Sequence, residues 1–151
     1  MILVTVGTTL PFDALIKTVD SLVEAGKIKD RIVCQIGHGS YVPIHCEYFK
    51  FQPSLDDCIE EASLVIGHGG TGTVFSALSA GKPFVAVANP AMANNHQAEF
   101  LARLSRIVSI VWTNDLNELS NLIQTASSNK IETIKGQRLV DDLRAFLKPT
   151  L

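Results

Sequence analysis

The chain has 151 residues, 46% of them hydrophobic and 19% charged, which is room for one ordinary domain with a real apolar core and excludes a disordered or low-complexity polypeptide. Thirteen basic residues against fifteen acidic ones leave a formal net charge of -2, so no broad basic field exists for a nucleic-acid backbone or an anionic membrane, and any anion must be held locally. The amino-terminal apolar run stops at Gly7, far short of the roughly 20 residues that cross a bilayer, and carries no basic n-region, so neither a signal peptide nor a span is expected. Cys34, Cys46 and Cys58 make an odd set without a CxxC pair; they read as apolar thiols in a reducing compartment.

Ile2 to Val6 is a continuous β-rich run, the signature of a strand buried on both faces. From Phe12 the apolar residues Phe12, Leu15, Ile16, Val19, Leu22 and Val23 recur at helical steps until Gly26. Arg31 to Ile36 reads as a second strand, Cys46 to Phe51 as a weaker third, and Pro53-Ser54 opens a short helix through Glu61. Leu64 to Ile66 is a strand, Thr71 to Ala80 a helix ended by Gly81, and Pro83 to Ala88 a strand. Asn94 to Ser105 is then a helix, Ile107 to Trp112 a strand, and Asn114-Asp115 caps a helix toward Ala126. A last helix over residues 131–147 aligns Ile131, Ile134, Leu139, Leu143, Phe146 and Leu147. Strands alternating with helices imply βαβ units, hence one Rossmann-like α/β domain over residues 1–151, with a mostly parallel sheet and helices on both faces.

Ligands of such sheets bind outside the carboxyl ends of the strands, and three loops there have unusual composition. Gly67-His68-Gly69-Gly70-Thr71-Gly72 follows a strand and opens a helix, where glycines admit a close ligand and the free N–H groups and dipole of the helix favour a phosphate. Its GxGxxG spacing also fits a nicotinamide dinucleotide site, but the turn lies mid-chain and the next strand ends in Ala88-Asn89-Pro90 without an acid. Gly81-Lys82-Pro83 lacks the rest of a Walker A loop. Gly7-Thr8-Thr9 offers N–H groups and two hydroxyls at the same edge, and Asn94-Asn95-His96-Gln97 offers amides and an imidazole suited to sugar hydroxyls. His38 and His45 read as structural.

These loops, in this order, resemble the donor-binding half of the GT-B glycosyltransferases of family 28, most closely the short Alg13-like proteins. Val4 to Phe12 is similar to their opening strand and loop; Gly67 to Thr73, Gly81-Lys82-Pro83 and Asn94 to Gln97 are similar to their donor signature. The resemblance implies a subunit that binds a UDP-sugar, with UDP-N-acetylglucosamine the expected donor, and that transfers the sugar to a lipid-linked acceptor only together with a membrane-anchored Alg14-like partner. It implies a cytoplasmic protein, peripheral to the membrane through that partner, with no nucleic acid bound. No cofactor and, without a DxD sequence, no metal is expected. The diphosphate is expected on Gly7, Thr8, Thr9, His68, Gly69, Gly70, Thr71, Gly72 and Thr73, and the sugar on Asn94, Asn95, His96 and Gln97. His96 is the catalytic candidate, with the acceptor base left to the partner. Relatives carry acids where this chain has Ser76 and Asn94, so no carboxylate contact to the ribose is carried over. The alternative is a non-catalytic enhancer or nucleotide-sugar-binding subunit of an exopolysaccharide glycosyltransferase, and a third reading is the nicotinamide-binding domain. The carboxyl-terminal stripe Ile134, Leu139, Leu143, Phe146 and Leu147 either docks on the partner or covers the chain's own sheet.

Overall fold

The fold is seen in a computed structural model, which describes residues 1–91, 96–108, 110–128, 141 and 145. Six strands, β1 (Ile2–Thr5), β2 (Ile32–Gln35), β3 (Glu47–Phe49), β4 (Leu64–His68), β5 (Phe84–Val87) and β6 (Val111–Thr113), form one sheet in the order β3-β2-β1-β4-β5-β6. Every pairing is parallel, with Val4 opposite both Cys34 and Ile66. The helices are α1 (Asp13–Glu24), α2 (Asp56–Glu61), α3 (Thr71–Ser79), α4 (His96–Leu104) and α5 (Leu119–Ser128).

Because side chains alternate along a strand, the largely apolar strands feed two cores. Ile2, Val4, Cys34, Ile66, Val85 and Val87 face α1 and α5, meeting Leu15, Ile16, Val19, Leu119 and Ile123. Leu3, Val65, Phe84 and Ala86 face the other way, toward Ile59 of α2, Val74 and Ala77 of α3, and Leu101 and Leu104 of α4. The doubly wound sheet expected from the alternation is therefore present, helices on both faces included.

Some boundaries differ. The strand expected over Ile107 to Trp112 begins only at Val111, because the N–H groups of Ile107 and Val108 still bond the Leu104 carbonyl at the end of α4, at 2.9 and 3.0 Å. Asp115, rather than Asn114, does the capping: its carboxylate accepts the Asn117 N–H at 2.9 Å and starts a short 3-10 turn, Leu116–Glu118, that runs into α5. Cys34 is fully buried, whereas Cys46 and Cys58 are half-buried; all three are free thiols. The expected helix over 131–147, with its apolar stripe, lies outside the described residues. No helix among the described residues is long and apolar enough to cross a membrane.

From β1 the chain winds outward to β2 and β3, and from β4 outward the other way to β5 and β6. The two windings part between β1 and β4, so the loops leaving these strands diverge above and below the sheet and leave a crevice at its carboxyl edge. The first loop, after β1, and the glycine-rich loop, after β4, both flank that crevice.

Candidate functional site

A cleft of about 520 Å³ occupies the crevice. Gly7, Thr8, Thr9 and Leu10 form one wall, His68, Gly70, Thr71, Gly72, Thr73 and Ser76 the other, and Gln35, Asn89 and Gln97 also line it. The remaining side is the segment from β3 into α2, Gln52 to Asp56. Asp56 is the one carboxylate among the described lining residues, and no Lys or Arg is among them. An anion here would have to be met by N–H groups, hydroxyls and the positive end of a helix.

That helix end is α3. Gly70 is its N-cap and, having no side chain, bonds none of the first-turn N–H groups; no acidic residue stands in that turn either. The amides at the start of a helix have no intrahelical acceptor and carry its positive partial charge. Those of Thr71, Gly72 and Thr73 border the cleft with their demand unmet by any capping side chain.

The glycines divide by what each missing Cβ makes room for. A Cβ on Gly67 would stand 3.1 Å from the Phe84 ring, and one on Gly69 2.9 Å from Leu101 of α4; both let this loop lie flat on its neighbours. On Gly7 and on Gly70 a Cβ would strike the His68 imidazole, so the ring sits between the two glycine loops. Gly7 is also at φ +78, a left-handed backbone that glycine adopts without strain. Only Gly72 of this group opens on free space, with no atom within 4 Å of a Cβ placed there, and it lines the cleft.

His68, the last residue of β4, is half-buried, and burial pushes its imidazole below the ordinary histidine value. Its Nδ1 accepts the Gly70 N–H at 3.0 Å. Gln97 Oε1 accepts the buried Asn89 N–H at 2.8 Å, which turns the amide nitrogen of Gln97 toward the same Nδ1, at 3.4 Å. With two donors converging on Nδ1, the ring is neutral and its single proton is on Nε2, which faces Thr73 Oγ1 at 3.5 Å. His68 can thus donate a hydrogen bond into the site but does not bring a positive charge to it. Asn89 closes the network by donating from Nδ2 to the Pro11 carbonyl at 3.2 Å, tying the loop after β5 to the one after β1. The β1 loop is also anchored from below: Thr5 Oγ1 donates to Gln35 Oε1 and accepts the Gly7 N–H at 3.4 Å.

Of the residues expected at the donor, Gly7, Thr8, Thr9, His68, Gly70, Thr71, Gly72, Thr73 and Gln97 come together around the cleft, with Gly69 packed behind it. Gln97 is buried, 7% exposed. His96, its neighbour, is exposed and is not a lining residue; one helical step of about 100° separates the two side chains. Asn94 and Asn95 lie outside the described residues. Ser76, the position at which no carboxylate contact to the ribose was carried over, does line the cleft with its hydroxyl-bearing side chain. The expectations missed Gln35, Asn89 and the Gln52–Asp56 segment. Asn89 had a signal, since it directly follows a predicted strand at its carboxyl end; the others are brought in by sheet order.

The family model of the glycosyltransferase family 28 C-terminal domain matches residues 1–134. The chain belongs to this family. A human protein named UDP-N-acetylglucosamine transferase subunit ALG13 is 37% identical over 116 residues, which is 70% of this chain but only 10% of the human protein. The protein of the same name from Yarrowia lipolytica is 33% identical over 134 residues, 79% of this chain and 67% of its own length. This chain thus spans about a tenth of the human relative and two thirds of the yeast one. Among solved structures, the ALG13 solution structure superposes with a TM-score of 0.64 at 18% identity, covering 94% of this chain and 93% of that one. The kitacinnamycin glycotransferase gives 0.67 at 22% identity, but this chain covers only 39% of it. MurG of Acinetobacter baumannii gives 0.64 at 20% identity, with 49% of its chain covered. At these identities the structures speak for the fold alone.

Proposed function

We propose that this chain is the UDP-sugar-binding subunit of a two-component GT-B glycosyltransferase, with UDP-N-acetylglucosamine as donor and a lipid-linked acceptor held by a membrane-anchored Alg14-like partner. The observation that carries the reading is the uncapped start of α3 at the parting of β1 and β4, facing a cleft of about 520 Å³ with no Lys or Arg among its described lining residues. A diphosphate fits such a site: the N–H groups of Thr71, Gly72 and Thr73 and the helix dipole stabilise it when bound and stabilise the leaving UDP as the sugar departs. Thr8 and Thr9 add hydroxyls from the facing wall, and the neutral His68 adds a donor. The names of the human and yeast relatives support N-acetylglucosamine as the sugar. The sugar is assigned to Asn94, Asn95 and His96, the last of which is the first residue of α4.

Transfer also needs a base for the acceptor hydroxyl. Asp56 is the one carboxylate among the described lining residues, and His96 does not line the cleft. With His96 off the cleft, the acceptor base is assigned to the partner, and a second reading has this subunit only bind the donor. The experiment is a thermal-shift panel of UDP, UDP-N-acetylglucosamine and NAD on the full chain, followed by transfer assays with the partner added. A ligand that binds the folded state raises its melting temperature. Stabilisation by both uridine ligands is expected, and stabilisation by NAD alone would sink the reading. In the assembled complex, His96→Ala lowers kcat if His96 takes part in the chemistry and raises only KM if it merely binds the donor.

A further inference from the structure

We infer that Gln97 is a positioning residue for His68, holding the imidazole in the tautomer that aims its Nε2–H at the cleft, rather than a direct ligand of the sugar. The inference rests on the donor-site reading above. The Gln97 side chain is 7% exposed, and both ends of its amide are engaged within the protein. Asn89 N–H, at 2.8 Å, requires an acceptor, so Oε1 must face it; the amide nitrogen is then fixed toward His68 Nδ1 at 3.4 Å. Gly70 N–H reaches the same Nδ1 at 3.0 Å. A ring nitrogen that accepts from two N–H groups cannot carry a proton itself. The proton is thereby confined to Nε2, beside Gly7 and Thr73 Oγ1, both on the cleft walls. Without Gln97, Nδ1 retains the Gly70 contact alone and loses the donor that comes from α4.

The test has a ligand-free arm and a binding arm, both on the full chain. Long-range proton–nitrogen spectra of the free protein near neutral pH should show His68 with a pyridine-like Nδ1 and a pyrrole-like Nε2. In Gln97→Glu an acceptor replaces the donor, and the His68 proton should move to Nδ1 or the ring should become cationic. A wild-type ring protonated on Nδ1, or a tautomer untouched by Gln97→Glu, overturns the inference. In calorimetry, the neutral variant Gln97→Leu should weaken UDP about fivefold to tenfold, the loss of roughly one well-placed hydrogen bond. The same variant in a His68→Ala background should show almost no further loss. If Gln97→Leu leaves UDP unchanged and weakens only UDP-N-acetylglucosamine, Gln97 contacts the sugar and the inference falls. If Gln97→Leu fails to fold, the spectra of the wild type and of Gln97→Glu decide the tautomer. Should wild-type protein bind neither uridine ligand, the donor-site reading fails and the role of Gln97 in binding fails with it, whatever the spectra show.

Discussion

Replacing Gly70 with alanine separates two explanations of a glycine-rich loop. Gly70 sits at φ -72, ψ 138, a conformation alanine adopts freely, so the backbone is not strained by the change. The new Cβ would fall against His68 Cε1, with Nδ1 at 2.7 Å and Nε2 at 2.9 Å. The imidazole must leave its site, which costs about 1–3 kcal/mol as overpacking and about 1 kcal/mol for the hydrogen bond between Gly70 N–H and Nδ1. Alanine as N-cap adds about 0.5–1 kcal/mol. The sum is about 2.5–5 kcal/mol, or a fall in Tm of about 5–20 °C for a chain of this size. In a His68→Ala background only the N-cap cost remains, so the two changes should couple by about 2–4 kcal/mol. Calorimetric unfolding of the wild type, both single variants and the double variant measures this directly. Equal losses in the two backgrounds, with coupling below about 0.5 kcal/mol, would refute the claim that Gly70 is small to admit the histidine, and would return it to the ligand.

Gly72→Ala should act in the opposite sense. Nothing stands within 4 Å of the added methyl, so helix propensity makes the variant more stable by about 0.5–1 kcal/mol. UDP affinity, read by calorimetry, should nevertheless drop at least about tenfold if the diphosphate lies on this turn; unchanged affinity places the ligand elsewhere. His68 makes stability depend on pH. Burial lowers its folded pKa beneath the unfolded value of about 6.5, so the unfolded chain binds more protons between the two values. The stabilisation is full above about pH 6.5 and is lost as pH falls through the folded pKa. His68→Gln should flatten that part of a Tm-against-pH curve. Asp20, a buried residue of α1, gives a second acid limb. Burial alone would raise its pKa, but hydrogen bonds from Tyr41, from the Ile44 and His45 N–H groups and from Cys46 outweigh burial and hold it below the ordinary value. Its contribution is present above about pH 4 and lost as pH falls through the lowered folded value. Asp20→Asn, which puts an N–H₂ against one of those donors, should cost about 2–3 kcal/mol at neutral pH in urea unfolding.

The parallel sheet was legible because its strands are apolar almost throughout: Ile2 to Val6, with Thr5 the one polar residue, and Phe84 to Val87 alternate between two cores, and only a sheet covered on both sides buries every residue of a strand. What the periodicity lacked was the order of the strands. That order alone sets β1 beside β4 and draws the first loop, the glycine loop and the distant Gln52–Asp56 segment around one cleft.

The glycines show a different limit. In a sequence, a missing side chain looks the same whether it makes way for a ligand or for the protein's own atoms. Gly67, Gly69 and Gly70 are small for Phe84, Leu101 and His68 respectively, and Gly72 alone of the loop faces open space. The motif is therefore mostly a device for seating one histidine and one helix, and the part left facing the open cleft reduces to the first turn of α3. The pair His96-Gln97 divides for a reason the sequence did contain. Consecutive residues of a helix point about 100° apart, so if one faces Asn89 and His68 the other must face away. Gln97 went inward because the Asn89 N–H at the end of β5 needs an acceptor once it is buried. With the cleft holding no Lys or Arg among its described residues, a diphosphate bound as proposed would have its charge met by fixed N–H groups. The small structural residues behind them keep those groups in place.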